Sequence, residues 1–402
     1  MSQTHEIPGL EELDSHTFEL GPIRPPSEAH SLLIRATRNC PWNRCEFCSV
    51  YKGETFELRP VEDVQQDIDT AKEIADGIKA LAWRIGYGES QRRVAALVHD
   101  SLPHNAAVRN VALWLYGGSA SAFLQDANSI ILSTPDLLRV VSHLKQTFPD
   151  LTRITSYGRS RNAAKKSCEE FAQIRAAGLS RIHIGLESGC DEVLDTVQKG
   201  CTADHHVKGG RAIVEAGIEL SEYVMPGLGG RQWSESHVRE TARVLNEIDP
   251  AFIRIRSFQA YPAMPMWRRI EHGGFELLRE DEVVEEIGAL IERLECSSVV
   301  KSDHMMNILM EVEGKLPEDK QKMLSLVHSF TSLPEREKLD FMVGRRLGWY
   351  RNLDDREVAA RREKVDQALG HFRAEGHGDF ESIMADLKIR VDRRFEPPFW
   401  VR

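Results

Sequence analysis

Long apolar runs are missing from this chain of 402 residues. No stretch approaches the 18 or more consecutive apolar residues that span a bilayer. The opening segment, MSQTHEIPGLEELDSH, is acidic and polar, unlike a secretory signal, so a cytoplasmic protein without a membrane partner is the expectation. A basic excess is missing too: 52 Lys and Arg stand against 62 Asp and Glu, a net charge of −10. That argues against nucleic acid or anionic lipid as a general partner. Cysteine is scarce, with seven residues, and an odd number in a chain without a signal is a poor disulfide framework. Cys168, Cys190, Cys201 and Cys296 are scattered, and each reads as a small buried residue. Internal repeats and low-complexity tracts are absent. With 41% hydrophobic and 28% charged residues, the chain suits one large domain with appendages, or two domains.

What is present is an alternation of strand and helix patterns. SLLIRAT (31–37) reads as a strand, and Pro60 opens a helix with Glu62 and Asp63 in its first turn. Its apolar stripe is Val61, Val64, Ile68, Ala71, Ala75 and Ile78. A less regular region and a helix ending at Gly117 follow, then strand two (121–126). Thr134-Pro135 starts a helix through about Gln146. Strand three is RITSY (153–157), and Ser167-x-x-Glu170 is a capping box for a helix that stops at Gly178. Strand four is RIHIGLE (181–187), Thr202 caps a helix ending at Gly217, and strand five is IELSEYVM (218–225). Ser234 caps the next helix, and FIRIRSF (252–258) is strand six. Such alternation implies a parallel sheet with right-handed crossovers, either doubly wound or an incomplete barrel. His183, Gly185 and Glu187 share one face of strand four, and Arg254 and Arg256 share one face of strand six. Sheets covered on both faces are normally apolar on both. Polar residues on one face therefore favour an α/β partial barrel lining a site at its C-terminal strand ends.

Beyond residue 260 the alternation stops. Residues 281–294 and about 317–330 look helical. Residues 335–402 carry 15 basic and 14 acidic residues and read as an outer helical extension ending in FEPPFW. Four segments result: a lead-in (1–29), the barrel (30–262), a segment packing on or closing it (263–334) and the charged extension (335–402).

RNCPWNRCEFCSVYKG (38–53) crowds three cysteines, Cys40, Cys45 and Cys48, onto the loop after strand one in the pattern C-x4-C-x2-C. Structural zinc takes four ligands in paired motifs, and no remaining cysteine pair has that spacing. A catalytic zinc on three thiolates would be electron-rich and a poor Lewis acid. An iron–sulfur cluster fits better, because thiolates ligate its irons. Three cysteines leave one iron open to a small molecule.

On these residues the chain resembles the radical S-adenosylmethionine (SAM) superfamily. There a C-x3-C-x2-C triplet follows the first strand of a partial (β/α)6 barrel; here one extra residue separates Cys40 from Cys45. Phe47 matches an aromatic that packs near the adenine of SAM. FLQDANS (123–129) stands where the family holds the SAM amino group, GLESG (185–189) resembles its fourth-strand motif, YVMPGLGG (223–230) its glycine-containing fifth-strand turn and AYPAMP (260–265) its proline-rich exit. The core looks like that of oxygen-independent coproporphyrinogen oxidases, methylthiotransferases and uncharacterised relatives. The resemblance implies a 4Fe-4S cluster and SAM as cofactors, and an electron donor such as flavodoxin or ferredoxin. It also implies a 5′-deoxyadenosyl radical that abstracts hydrogen from substrate. The expected metal ligands are Cys40, Cys45 and Cys48. Expected SAM contacts are Phe47, Gln125, Asp126, Asn128, Ser156, Arg159, Glu187, Met225, Gly227 and Arg256.

Several residues keep two readings. Gln125, Asp126 and Asn128 either hold the SAM ammonium or cap the following helix. His183 lies deeper and reads as a satisfied interior histidine. Arg254 and Arg256 either fork a carboxylate, of SAM or of an acidic substrate, or face solvent on an edge strand. SDHMMN (302–307) either closes over the substrate or makes a local turn and cap. The 39 residues before Cys40 are too few for a cobalamin domain, and no later cysteine cluster suggests auxiliary centres. With the acidic balance, this favours a small-molecule substrate over RNA. Two other functions remain: transfer of an aminocarboxypropyl group from SAM, and a redox sensor or electron carrier without catalysis.

Overall fold

The structure is a computed structural model and describes residues 9–377, 382–383 and 386–387. Eight strands form a mostly parallel sheet: β1 (Leu32–Arg35), β2 (Ser121–Gln125), β3 (Arg153–Gly158), β4 (Leu179–Glu187), β5 (Glu219–Val224), β6 (Phe252–Ile255), β7 (Val299–Lys301) and β8 (Gly314–Lys315). They follow one another in chain order, and β8 is antiparallel to β7. A doubly wound sheet reverses its order at a switch point. No reversal occurs here, which agrees with the expected partial barrel.

Two strands exceed the expected six. β7 and β8 have only three and two residues, too few for a period-2 pattern to register. Their presence corrects the reading of β6 as a possible edge, because β6 pairs with β5 on one side and β7 on the other. β6 also ends at Ile255, so Arg254 lies within it, 6% exposed, while Arg256 lies beyond it in solvent. Three helix details differ as well. The irregular region contains helix Gln91–Ser101. Ser133, rather than Thr134, caps helix Thr134–Thr147, its hydroxyl accepting from the Asp136 amide at 3.2 Å. Helix Gly230–Ile248 begins four residues before Ser234, whose hydroxyl instead donates to the Glu286 carboxylate. The Ser167 capping box and the Thr202 cap form as expected.

The chain divides into two compact units. The first comprises Met1–Asn43, Tyr51–Ile184 and Glu215–Glu219. Here β1 pairs with β2, β2 with β3 and β3 with the first part of β4. Helix Val61–Arg84 packs on Ala106–Tyr116 and Thr134–Thr147 through its apolar stripe. Ile68, Ala71, Ile74, Ala75 and Ile78 are fully buried along it. Each such isoleucine contributes about 1.5–3 kcal/mol by leaving water.

The second unit comprises Arg44–Val50, Gly185–Val214 and Leu220–Arg402. It holds the end of β4, nearly all of β5, and β6 to β8. Helix Glu280–Arg293 packs on Gly230–Ile248 and on Lys320–Thr331, and Glu335–Arg346 on Ala359–Ala374. The helical C-terminal part is thus present; FEPPFW lies outside the described residues. Among the described residues no helix is long and apolar enough to cross a membrane.

Candidate cofactor-binding site

In the first unit the loop after β1 is shaped by asparagines. Asn39 and Asn43 adopt φ of 64° and 48°, a left-handed conformation that asparagine tolerates better than most residues. Between them Cys40 is half-buried, and its Sγ accepts a hydrogen bond from the Asn43 amide at 3.4 Å. The Asn43 side chain donates to the Tyr51 carbonyl. Behind the loop, Asp126 is fully buried. It accepts from the Tyr51 hydroxyl, from Arg35 Nη2 at 2.9 Å and from the Asn39 amide at 3.3 Å. Burial raises its pKa, and Tyr51 and Arg35 act against that rise. Burial, followed by the Asp126 charge, pushes the Tyr51 phenol well above its ordinary value.

The other strand-end residues of this unit are also engaged. The Gln125 amide accepts from the Gly21 amide at 3.0 Å and donates to the carbonyls of Gly21 at 3.0 Å and Ile23 at 2.8 Å. Asn128 accepts from the Arg159 amide and donates to the Asn162 side chain, both at 3.0 Å. The Ser156 hydroxyl donates to the Tyr157 carbonyl at 2.9 Å. The Arg159 guanidinium lies 5.3 Å from the centre of the Trp42 ring. His183 is fully buried, with Nε2 3.5 Å from Glu28.

In the second unit Cys45 and Cys48 are half-buried against an apolar cluster that includes Phe47, Cys190, Leu228, Phe258 and Met266, with Met225 at its margin. The Glu46 amide donates to the Val197 carbonyl at 2.9 Å, and the Met266 amide to the Glu46 carbonyl at 3.1 Å. The segment is therefore tied in from both sides. Lys199 Nζ lies 5.5 Å from the centre of the Phe47 ring and 2.9 Å from Glu187 Oε1. Glu187 has φ of 61°. A non-glycine residue in that region marks a locally imposed geometry, common at functional sites. A Cβ added at Gly185 would stand 2.1 Å from the Glu187 carboxylate and 3.0 Å from Lys199 Nζ. Gly185 is the reason this ion pair fits against the strand.

Glu222 completes the group. It is fully buried, and neither carboxylate oxygen has a hydrogen-bond partner among the described residues. Burial, then the Glu187 charge, raises its pKa well above the ordinary value, and Lys199 acts against that rise. Neither Lys199 nor Glu222 was among the expected site residues. The available signal was Glu222 itself, an acid in a strand whose neighbours are otherwise suited to burial. The Met225 amide donates to the Glu187 carbonyl at 3.0 Å. Gly227, with φ of 86°, donates its amide to Glu286 at 2.6 Å.

The residues present fit an iron–sulfur cluster and a zwitterionic cofactor. The three cysteines form no disulfide and are soft donors suited to iron–sulfur ligation. An amide N–H on a ligand sulfur is a means of tuning such a centre. The unpaired Glu222 carboxyl and the Glu187–Lys199 pair offer an acceptor or donor and both signs of charge.

No family model matches the chain. Among curated proteins it is 26% identical over 129 residues to the tRNA uridine(34) acetyltransferase of Methanocaldococcus infernus, which is 30% of this chain and 22% of that protein. The chain thus spans about a fifth of that relative's length. Solved structures similar to it include coproporphyrinogen III oxidase (HemN) from Escherichia coli, a radical SAM enzyme. That match has 14% identity and a TM-score of 0.43, and covers 73% of this chain and 55% of the other. Another is the radical SAM methyltransferase TsrM from Kitasatospora setae, solved with cobalamin and a 4Fe-4S cluster bound. Its identity is 15% and its TM-score 0.40, with 89% of this chain and 62% of the other covered.

Proposed function

We propose that this protein is a radical SAM enzyme acting on a small-molecule substrate. The carrying observation is that Cys45, Phe47 and Cys48 are seated beside the buried Glu187–Lys199 pair and the unpaired Glu222. Cys40, Cys45 and Cys48, by their spacing, hold a 4Fe-4S cluster. When bound, the cluster and SAM supply one-electron chemistry, the reductive cleavage of a carbon–sulfur bond of SAM that leads to hydrogen abstraction from substrate. A flavodoxin- or ferredoxin-type donor provides the electron.

The chain's own residues bind and position. Glu187 and Lys199 offer opposite charges to the amino-acid end of SAM and hydrogen bonds to its ribose. Glu222, whose pKa burial and the Glu187 charge raise, offers one further hydrogen bond. Phe47 and Met225 give apolar surface to the adenine, and Gly227 lets the backbone approach it. Asp126, with Tyr51 and Arg35, orients the Cys40 loop. Gln125, Asn128, Ser156 and Arg159 hold the strand-end loops in place. The segments 30–262 and 263–334 supply the core and its cover. The curated relative acts on tRNA by its name, but a net charge of −10 opposes the phosphate contacts that dominate RNA affinity.

The test is anaerobic reconstitution with iron and sulfide, then dithionite and SAM, with the product identified by mass spectrometry. Cysteine-dependent 5′-deoxyadenosine is expected. Methylthioadenosine would mean aminocarboxypropyl transfer. Neither product, with zinc in the native protein, would overturn the reading.

A further inference from the structure

The SDHMMN segment and the end of β6 form a second polar group in the second unit. The Asn307 side chain accepts from the Ser257 amide at 2.8 Å and donates to the carbonyls of Ile255 at 2.8 Å and Ser302 at 3.2 Å. Helix Glu335–Arg346 holds the same segment from its other side. Arg345 donates to the carbonyls of Asn307 at 3.1 Å and Ile308 at 3.0 Å, and Arg346 to that of Met306 at 3.1 Å. A local turn with a cap would need none of these long-range bonds. The segment is fixed against the strand end and is preorganised.

The groups it fixes are mostly donors. Arg254 is buried; its Nε donates to Ser221 Oγ at 3.2 Å and its Nη1 to Asp303 at 3.0 Å. Arg346 is paired with Glu280 at 2.8 Å. Arg256 is exposed, and among the described residues its guanidinium has no ion-pair partner. His304 Nδ1 accepts from the Met306 amide at 3.3 Å, so the neutral ring carries its proton on Nε2. Burial, then the Arg256 and Arg346 charges, hold the His304 pKa down to about 3. The ring is therefore neutral at pH 7 and presents its Nε2–H from the segment that the Asn307 side chain bonds to the backbone of residues 255 and 257, on either side of Arg256. Matching Arg254 with Asp303 and Arg346 with Glu280 leaves the exposed Arg256 charge without an ion-pair partner among the described residues and open to an anion.

The group also adjoins the proposed cofactor site. The Arg256 amide donates to the Val224 carbonyl at 2.9 Å, and the next residue after Val224 donates to the Glu187 carbonyl at 3.0 Å. Backbone bonds run from Glu187 to Arg256, and the Asn307 side chain extends them to the SDHMMN segment.

We propose that Arg254, Arg256 and His304 Nε2 form the subsite for a carboxylate of the substrate, so that the substrate is a small carboxylic acid. This rests on the enzyme reading above. A planar guanidinium fork with one adjacent N–H suits the two oxygens of a carboxylate.

The test follows thermal unfolding of the reconstituted full chain against succinate, acetate and inorganic phosphate, with ionic strength held constant by sodium chloride. A ligand that binds only the folded state raises Tm in a saturable way. Succinate is expected to do so, with its half-effect concentration raised at least tenfold in Arg256→Ala and partly restored in Arg256→Lys. Non-saturable effects, or equal effects in wild type and Arg256→Ala, would overturn the proposal. So would phosphate acting at lower concentration than succinate. SAM-induced change in the electron paramagnetic resonance spectrum of the reduced wild-type cluster is read in parallel. Its absence, with succinate binding retained, removes the enzyme reading and leaves the carboxylate subsite standing. Its presence without saturable succinate binding removes the subsite alone. Loss of that spectral change in Arg256→Ala would assign Arg256 to the carboxylate of SAM and overturn the proposal.

Discussion

The polar groups at the strand ends of the two units are treated differently. In the first unit Asp126, Glu19 and Gln125 are saturated by neighbouring donors and acceptors, although Thr37 Oγ1 is buried without a hydrogen-bond partner among the described residues. Asp126 takes three donors, and Glu19 takes Arg35 and Arg38. Gln125 is consumed by residues 21–23. In the second unit Glu222 is buried with neither carboxylate oxygen bonded, and the exposed Arg256 has no ion-pair partner among the described residues. A buried polar group left unpaired is costly in a folded protein. On the proposed function, the buried and unbonded Glu222 is the group a ligand would complete, whereas the saturated Asp126 and Gln125 act as scaffold. The first unit shapes the Cys40 loop, and the second carries the residues proposed to meet cofactor and substrate.

The largest effect that sharpens this contrast is loss of a proposed cluster ligand. Cys48→Ala should reduce bound iron sharply and bring SAM-derived 5′-deoxyadenosine to background, measured by iron analysis and mass spectrometry. Unchanged product would show that the triplet is not the centre of the chemistry. Next, Tyr51→Phe removes a donor from buried Asp126 and should lower stability by about 1–3 kcal/mol. Urea unfolding measures the loss. Hydrogen exchange should rise in residues 32–43 and 121–128 more than in 219–258, and a uniform rise would break the comparison.

Glu222→Gln tests the opposite unit. The folded pKa of Glu222 lies above its unfolded value, so its contribution is full below about pH 4.5 and is lost as pH rises toward the folded pKa. The glutamine variant should equal wild type near pH 5 and exceed it increasingly toward pH 8, by thermal unfolding. A variant less stable than wild type at pH 8 would mean that Glu222 is ionised and paired. The smallest effect concerns His304. Its folded pKa of about 3 is below the unfolded 6.5. Its contribution is therefore full above pH 6.5 and declines as pH falls from there toward 3. His304→Gln should flatten the slope of Tm between pH 7 and 5. An unaltered slope would show that the ring protonates freely.

The strand–helix alternation was legible because it rests on local periodicity. Helix Val61–Arg84 and the Ser167 capping box stand where their apolar spacing and cap residues put them. Ser234 misled because a serine near a helix start reads as a cap, whereas here Glu286 from a distant helix takes its hydroxyl. β7 was invisible because three residues carry no pattern, and its pairing with β6 supplies the order. Lys199 was hidden for a related reason: its partner is fixed by the turn after β4, twelve residues away in sequence.

The sequence alone determined the parallel α/β core and the cysteine triplet from which an iron–sulfur cluster is proposed, since these depend on residue type and short spacing. The tertiary structure decided which polar side chains are saturated and which are left open. Gln125 and Arg256 looked alike as cofactor contacts, and only burial and long-range partners separated them. Pairing of charges over dozens of residues is set by how the chain folds back on itself, and a linear pattern carries no record of it.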